Sequence, residues 1–494
     1  MADTKTEVKN NYRFLARIVV ETKAPLSIGS GNKSTKTDSL VLRDVNGLPF
    51  IPGTTIAGLL RHSLDKNERE ILMGSQKEGS RLIITEARML DENGKVLDGM
   101  LSEKELNTDF LSRFRKQMTI RQHVRISHKG TAEKHGKFDE EVVLKGTRFC
   151  FEMEMVSQDA DDSKFKNLLN TFASDTFRIG SGSRSGFGAI EVVGNKCQYM
   201  NVDLSDEKQR LWYLEKSSSL SNKWNTCLDD PKSKTDPKQP IKYEIEEISL
   251  LTSVEGWIRY TLNIEPEDFV LFGSGFGDEK GWADMTYVKE EYIDWKAPED
   301  KIQKREKVLL IPGSSVKGAL AHRTAYYYNK EKQHFADQLP QGTSIKDYIG
   351  ENNLAVATLF GSKGNSDGKG KQRGNVLISD VIEVGNLRGK YLNHVSIDRF
   401  TGGAIDGALF TEEVLYAKNE KITIILYVNN KAFDETILGI EGNNIKKAFE
   451  RALDDICNGL LPLGGGVNRG NGCFKGSYEK ELFNKENKQW EKSA

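Results

Sequence analysis

From Tyr12 to Glu21 apolar and polar residues alternate, with Ile and Val prominent, and this period of two predicts a strand. Further strands are expected at Ser39–Leu42, Arg81–Ala87 and Val142–Val156, and at the edge closing the loop Gly180–Val192. Helical patterning over Ile56–Leu64 and Ser163–Ala173 predicts two helices. The first opens at the turn Pro52-Gly53, where Thr54 or Thr55 is positioned to cap its free N–H groups. Beyond Ile241 the pattern resumes. It predicts strands at Trp257–Ile264, Asn375–Val381 and Ile422–Val428 and helices at Ser314–Tyr328 and Ile445–Ile456. Strands and helices are mixed without a regular βαβ alternation, so each half reads as α+β.

The two halves repeat one another. Leu48–Gly58 contains Ile51-Pro-Gly-Thr-Thr55, and Ile311-Pro-Gly-Ser-Ser315 is its counterpart. Leu26–Gly31 matches Val270–Gly275, Leu72–Ser75 matches Leu359–Ser362, and Leu82–Glu86 matches Val376–Asp380. His123-Val-Arg-Ile-Ser127 matches His394-Val-Ser-Ile-Asp398, each followed by a Glu-Glu-Val at Glu140 or Glu412. The glycine loop Gly180–Gly188 matches Gly464–Gly472. Six signals in one order indicate a tandem duplication with insertions, among them Glu290–Lys307 and Gly361–Gly374. The expected layout is a first domain at 1–200, a connector at 201–240, a second domain at 241–482 and a polar tail at 483–494. Within the connector Leu204–Glu215 reads as helical, and Asp229–Pro240 is rich in Pro, Lys and Asp.

A chain of 494 residues is long enough for two domains, and 37% hydrophobic with 29% charged residues is a soluble, globular composition. No stretch approaches the roughly 20 apolar residues of a membrane span, and the polar start Met1–Tyr12 does not read as a secretory signal. The scattered cysteines Cys150, Cys197, Cys227, Cys457 and Cys473 form no Cys-x-x-Cys and read as reduced cytoplasmic thiols. A net charge of -1 does not advertise a nucleic-acid binder, so such binding must come from local patches.

Several such patches stand out. Helix N-termini beside glycines favour anions, which nominates Gly53, Thr54 and Thr55 and their counterparts Gly313, Ser314, Ser315 and Lys317. In the glycine loops, Gly182, Gly186, Gly466 and Gly470 would let backbone N–H groups approach a phosphate, with Arg184 and Arg469 adding charge. The same glycines could equally serve turns of positive φ. The stretch Ser112–Lys137 is basic and nearly free of acids, and includes Arg121, His123, Arg125 and Lys129. It reads either as a solvated face or as a neutraliser of an RNA backbone. Its counterpart Leu392–Phe410 is less basic but offers Phe400 and Phe410 for stacking, and His394 aligns with His123. The shared histidine suits RNA contact or a hydrogen bond at the base of a hairpin.

The order of these motifs, with Asn393-His-Val-Ser-Ile-Asp-Arg-Phe-Thr-Gly-Gly-Ala404 as the strongest, resembles the RAMP superfamily of CRISPR-associated proteins. It is nearest to the backbone subunit of type III effector complexes. The first copy departs from the pattern at Arg125-Ile-Ser-His-Lys-Gly130. The resemblance covers nearly the whole chain outside the connector. It implies two tandem ferredoxin-like (RRM-like) domains, each with a β-hairpin "thumb" that wedges into a guide–target duplex and displaces one nucleotide. It places His394, Arg399 and Phe400 at RNA and implies guide RNA (crRNA), complementary target RNA and other type III subunits as partners, with no membrane. A loop aspartate in such subunits promotes target cleavage. Here Asp38, nine residues after Gly29, and Asp284, eleven after Gly273, are the candidates, with Asp278 as competitor in the second loop and Asp44 reading as turn chemistry. The carboxylate would orient or deprotonate a ribose 2′-OH, or hold a divalent metal such as Mg2+ transiently at the cut. Two other readings stand beside this one: a non-catalytic guide-binding subunit, and a guide-processing endonuclease that would use a histidine.

Overall fold

The computed structural model describes residues 10–492 apart from 35–36, 117, 225–226, 229–240, 243–244, 253, 276, 278–280, 297–307, 365–369, 384–387 and 419. Asp278 and the Pro/Lys/Asp-rich 229–240 lie outside the described residues. Both halves are α+β, and the duplication read from the sequence is present in the architecture. In the first half the strand Tyr12–Thr22 lies between Arg148–Ser157 and Lys196–Asp203, with Leu82–Ile84 beyond Arg148–Ser157. In the second, Trp257–Pro266 lies between Ile422–Asn429 and Phe474–Asn484, with Val376–Ile378 beyond Ile422–Asn429. All these pairings are antiparallel. Helices Gly53–Ser63 and Ser163–Phe172 accompany the first sheet, and Gly313–Glu331 and Ile440–Cys457 the second.

Tyr12–Thr22 is buried on both faces over much of its length. Phe14, Ala16, Ile18 and Val20 enter the main core, while Leu15 packs on the other face with Met200, Val202, Trp212 and Trp224. A central strand covered on both sides reads as a continuous apolar run. The cover on that second face is the expected connector. Its helix Glu207–Glu215 docks through Trp212, and Glu152 accepts hydrogen bonds from Arg17 Nε (2.9 Å), Lys216 Nζ (2.8 Å) and Trp224 Nε1 (2.8 Å). This part of 201–240 is therefore packed into the first domain. The strand Glu246–Ser249, expected in the second domain, pairs instead with Lys196–Asp203 of the first sheet. The expected polar tail is also structured: Gln489–Lys492 pairs with Phe474–Asn484, and Trp490 Nε1 donates to Asp175 Oδ2 of the first half (3.1 Å). The predicted threonine cap is absent. Pro52 occupies the N-cap of Gly53–Ser63 without any side-chain hydrogen bond.

The halves meet at a polar knot. The glycine loop at 180–188 adds a bridge from Gly186 to Ser379, and Asp380 N donates to Gly186 O (3.0 Å). Asp380 Oδ1 accepts from Gly313 N (2.7 Å), capping helix Gly313–Glu331, and Oδ2 accepts from Arg121 (3.0 Å). Arg121 also pairs with Glu290, and the side chains of Arg121, Glu290 and Asp380 are 6%, 0% and 1% exposed. Gly186 has φ +123°, and a Cβ there would sit 1.9 Å from Asp380 Oδ1, so backbone conformation and close approach both require glycine. Burial, with the neighbouring Asp380, pushes Glu290 up to about 7, and Arg121 stays charged between the two carboxylates.

Truncating one member of a buried ion pair leaves an uncompensated charge and typically costs about 3–5 kcal/mol. Arg121→Ala is expected to lower the urea midpoint of the full chain accordingly. Arg125→Ala, on the exposed part of the same strand, should change stability by no more than about 0.5 kcal/mol. Equal midpoints for the two variants would show that the knot does not hold the halves together.

Candidate nucleic-acid interface

Each half carries a two-stranded hairpin at the same place in its sequence: Thr119–Ile126 with Ala132–Val142, and Arg388–His394 with Phe410–Tyr416. A loop runs alongside each. Ser39 bridges Glu140 in parallel, and Met285–Thr286 pairs in parallel with Glu412–Glu413. The residue just before each bridge is a candidate aspartate. Asp38 Oδ2 accepts from Asp139 N (3.2 Å), and Asp284 Oδ2 accepts from Thr411 N (2.8 Å). Both aspartates are exposed, while the residues before them, Thr37 and Ala283, are buried at 5% exposure. Buried neighbours and a backbone hydrogen bond thus fix two carboxylates at corresponding positions and leave each facing solvent. Asp44 makes the expected turn, accepting from Asn46 N and Leu48 N (both 2.9 Å).

The base of each hairpin is also duplicated. His123 stacks on Phe138 and His394 on Phe410, both with ring centroids 4.8 Å apart. His123 Nε2 lies 3.0 Å from Glu140, and His394 Nε2 lies 3.0 Å from Glu412. Neither contact has hydrogen-bond geometry, so these imidazole nitrogens are close to, but not directed at, their carboxylates. Both histidines are partly buried between the hairpin strands, the position of a hairpin-base support. The glutamates are what sequence reasoning passes over; they are visible there only as the Glu-Glu-Val that recurs after each histidine.

The predicted basic and glycine residues divide into two groups. Arg125, Lys129, Arg399 and Phe400 are exposed; Arg125 lies 3.6 Å from Glu133, and Phe400 is 98% exposed. The first hairpin also exposes Ile120, Val124, Ile126 and Phe138, and the second Val395, Ile397, Ile405 and Leu409. Apolar projections with basic residues beside them are chemically suited to stacking on bases and pairing with phosphates.

The second group is engaged within the protein. Arg121 is the centre of the knot and is not presented to a phosphate, contrary to the sequence-based expectation, because a charge run does not reveal which of its members face a neighbouring domain. Gly313 N is capped by Asp380 and is not an open anion site. Gly186 is filled by Asp380, Gly182 by the ring of Phe187, and Arg184 Nε donates to Gly374 O. Arg469 pairs with Glu412 (2.5 Å), and Lys317 Nζ lies 3.5 Å from Ser185 Oγ, its pKa lowered by burial and by Arg184. Gly53 packs against Ile84 O, whereas Thr54 is exposed at the helix start. Ser315 is exposed and Ser314 partly so, and Gly466 and Gly470 adopt φ of +68° and +93° in a short helical turn.

For a divalent cation, no group of three or more His, Cys, Asp or Glu side chains is arranged to hold a metal among the described residues. Mg2+ commonly takes only one or two carboxylates and completes its shell with water and substrate phosphates. The donor set fits that mode. Among the described residues the first site offers Asp38 beside Asp139, whose Oδ1 is buried without a partner, and the second offers Asp284. Among the described residues no helix is long and apolar enough to cross a membrane.

A family model described as RAMP superfamily matches residues 19–191 and 299–475. No curated protein matches the chain. The two matched segments fall on the two halves and together span more than half of the sequence, so the chain belongs to the RAMP superfamily, in tandem duplicate, and is a CRISPR-associated RNA-binding protein.

Proposed function

We propose that the chain is a backbone subunit of a type III CRISPR effector complex, in which it binds guide RNA and cleaves complementary target RNA at two sites. The observation that carries this reading is the equivalence of Asp38 and Asp284, each exposed and each fixed by the backbone N–H of the strand beside it. The strand order in each half, with its two accompanying helices, supports a ferredoxin-like core. The exposed hairpins support the role of thumbs that separate target bases at regular intervals.

In the proposed reaction a displaced target nucleotide lies with its ribose against the aspartate. The carboxylate accepts the 2′-OH proton, the 2′-oxygen bonds to the adjacent phosphorus, and the bond from phosphorus to the 5′-oxygen breaks. The leaving oxygen takes a proton from solvent, giving a 2′,3′-cyclic phosphate and a 5′-hydroxyl. RNA supplies its own nucleophile, so the protein's contribution is in-line geometry and a proton acceptor. Asp38 with Asp139, and Asp284, are the residues that would hold Mg2+, which when bound would neutralise charge on the scissile phosphate.

A purely structural guide-binding role is favoured by one feature: an aspartate accepting a backbone N–H is also what a loop cap does. The two readings separate experimentally. Asp38→Ala and Asp284→Ala are each expected to remove one of two target cuts, lowering its rate about 10²–10⁴-fold, with target binding unchanged. Product mapping on denaturing gels checks this, and a double variant that still cuts at both places would assign the nuclease to another subunit. A 2′-deoxy nucleotide at one cut position should block that cut alone.

RNA affinity provides a second test. Replacing Arg125 and Lys129 by alanine should flatten the log–log salt dependence of RNA binding by about one unit for each phosphate no longer neutralised, whatever the RNA sequence. An unchanged slope would show that the first hairpin does not touch the RNA backbone.

A further inference from the structure

The second sheet has a face turned away from its helices. Cross-strand partners share a face, and the register places Arg259 opposite Tyr427 and Glu481, and Leu377 opposite Tyr427. Trp257 and Phe483, each two residues along its strand from a member of this set, lie on the same side. This face looks onto the ends of helices Gly53–Ser63 and Ser163–Phe172 of the first half. Between them is a cleft of about 720 Å³, lined by His62, Asn167, Thr171, Ser174, Phe177, Trp257 and Phe483, with Arg178, Arg184, Arg373 and Lys488 adding positive charge.

The charge in this cleft is unbalanced. Its single carboxylate among the described lining residues, Glu255, pairs with Lys485. Arg178 is 6% exposed and has no ion pair among the described residues; its guanidinium donates to Asp175 O (2.6 Å), Phe177 O (3.0 Å) and Ser379 Oγ (3.2 Å), and its Nε is buried without a partner. Burial lowers Arg178 to about 10 against the opposing pull of Tyr427 and the Asp175 carboxylate, and lowers Arg184 to about 10 with the nearby Arg373 and Arg178 pushing in the same direction. Arg373 is exposed at the rim. Arg184 thus sits where Arg373 and Arg178 disfavour its charge, and Arg178 keeps a buried N–H unused; an anion placed between them would satisfy both. The aromatic side chains and amides on the same walls suit a planar heterocycle.

We propose that this interdomain cleft binds a nucleoside phosphate, its phosphate held by Arg178, Arg184 and Arg373 and its base packed against Trp257 and Phe483. The ligand is either a free mononucleotide or the phosphorylated end of an RNA strand. The site is separate from Asp38 and Asp284 and does not depend on the cleavage reading. Calorimetric titration of the full-length chain tests it, with 5′-AMP, adenosine, inorganic phosphate, and a short RNA carrying either a 5′-phosphate or a 5′-hydroxyl as probes. AMP should bind at least about tenfold more tightly than adenosine or phosphate, and Arg373→Ala and Trp257→Ala should each weaken it roughly tenfold. If the 5′-phosphorylated RNA, and not AMP, shows this dependence on Arg373 and Trp257, the ligand is a strand end. If no probe binds, if phosphate alone binds as well as AMP, or if both variants bind like the wild type, the proposal is overturned. Target cutting in Arg373→Ala should match the wild type, so failure of this site and failure of the cleavage reading give different results.

Discussion

One buried carboxylate gathers several of the contacts that join the two halves. Asp380 follows the edge strand Val376–Ile378 of the second sheet, caps the helix that begins at Gly313, receives Arg121 from the first hairpin and fills the space left open by Gly186. Each contact is polar and buried, so each is costly to leave unmade. Together they bring the base of the first hairpin, the first glycine loop and the start of a second-half helix to one point. The two halves are thereby coupled through residues that belong to the sequence motifs themselves.

That arrangement gives the repeated motifs different work in the two copies. In the first half the glycine loop is an interdomain joint, with Gly186 against Asp380. In the second its counterpart, Gly470, has open space around it, and Arg469 turns back to Glu412 at the base of its own hairpin. What remains equivalent is the pair of aspartates and the histidine–phenylalanine stacks beneath the hairpins. Duplication followed by specialisation of the seam accounts for both observations: the joint needs one donor and one acceptor face, whereas each aspartate and its hairpin lie within one half.

The sequence is most legible where a signal is local and repeated. The equivalent placement of Asp38 and Asp284 is legible because each follows a glycine loop, although the strand expected at Ser39–Leu42 forms only isolated bridges, and the helices at Gly53 and Gly313 are legible because Pro-Gly turns announce them. It is least legible where the partner is remote. Nothing near Arg121 reveals that Glu290 and Asp380 await it, so a buried charge reads as part of a solvated or RNA-binding run. Glu246–Ser249 falls by pattern in the wrong half because a four-residue strand carries little signal of its own, and its partner Lys196–Asp203 lies across the connector. The end of the chain looks polar, and only Trp490 hints that it docks. Arg178 stands two residues before the glycine loop Gly180–Gly188, just outside the repeated motif.

Under the proposed function, two equivalent sites, one in each half, act on one RNA held in a fixed register by the guide. The most direct measurement is to map the cut positions of the wild-type complex on a set of target RNAs while the complementary region is moved along the target. Two cuts are expected, with a constant spacing and with positions that move together with the complementary region. Cuts that stay at the same target sequence when the complementary region moves, or whose spacing varies from target to target, would contradict it.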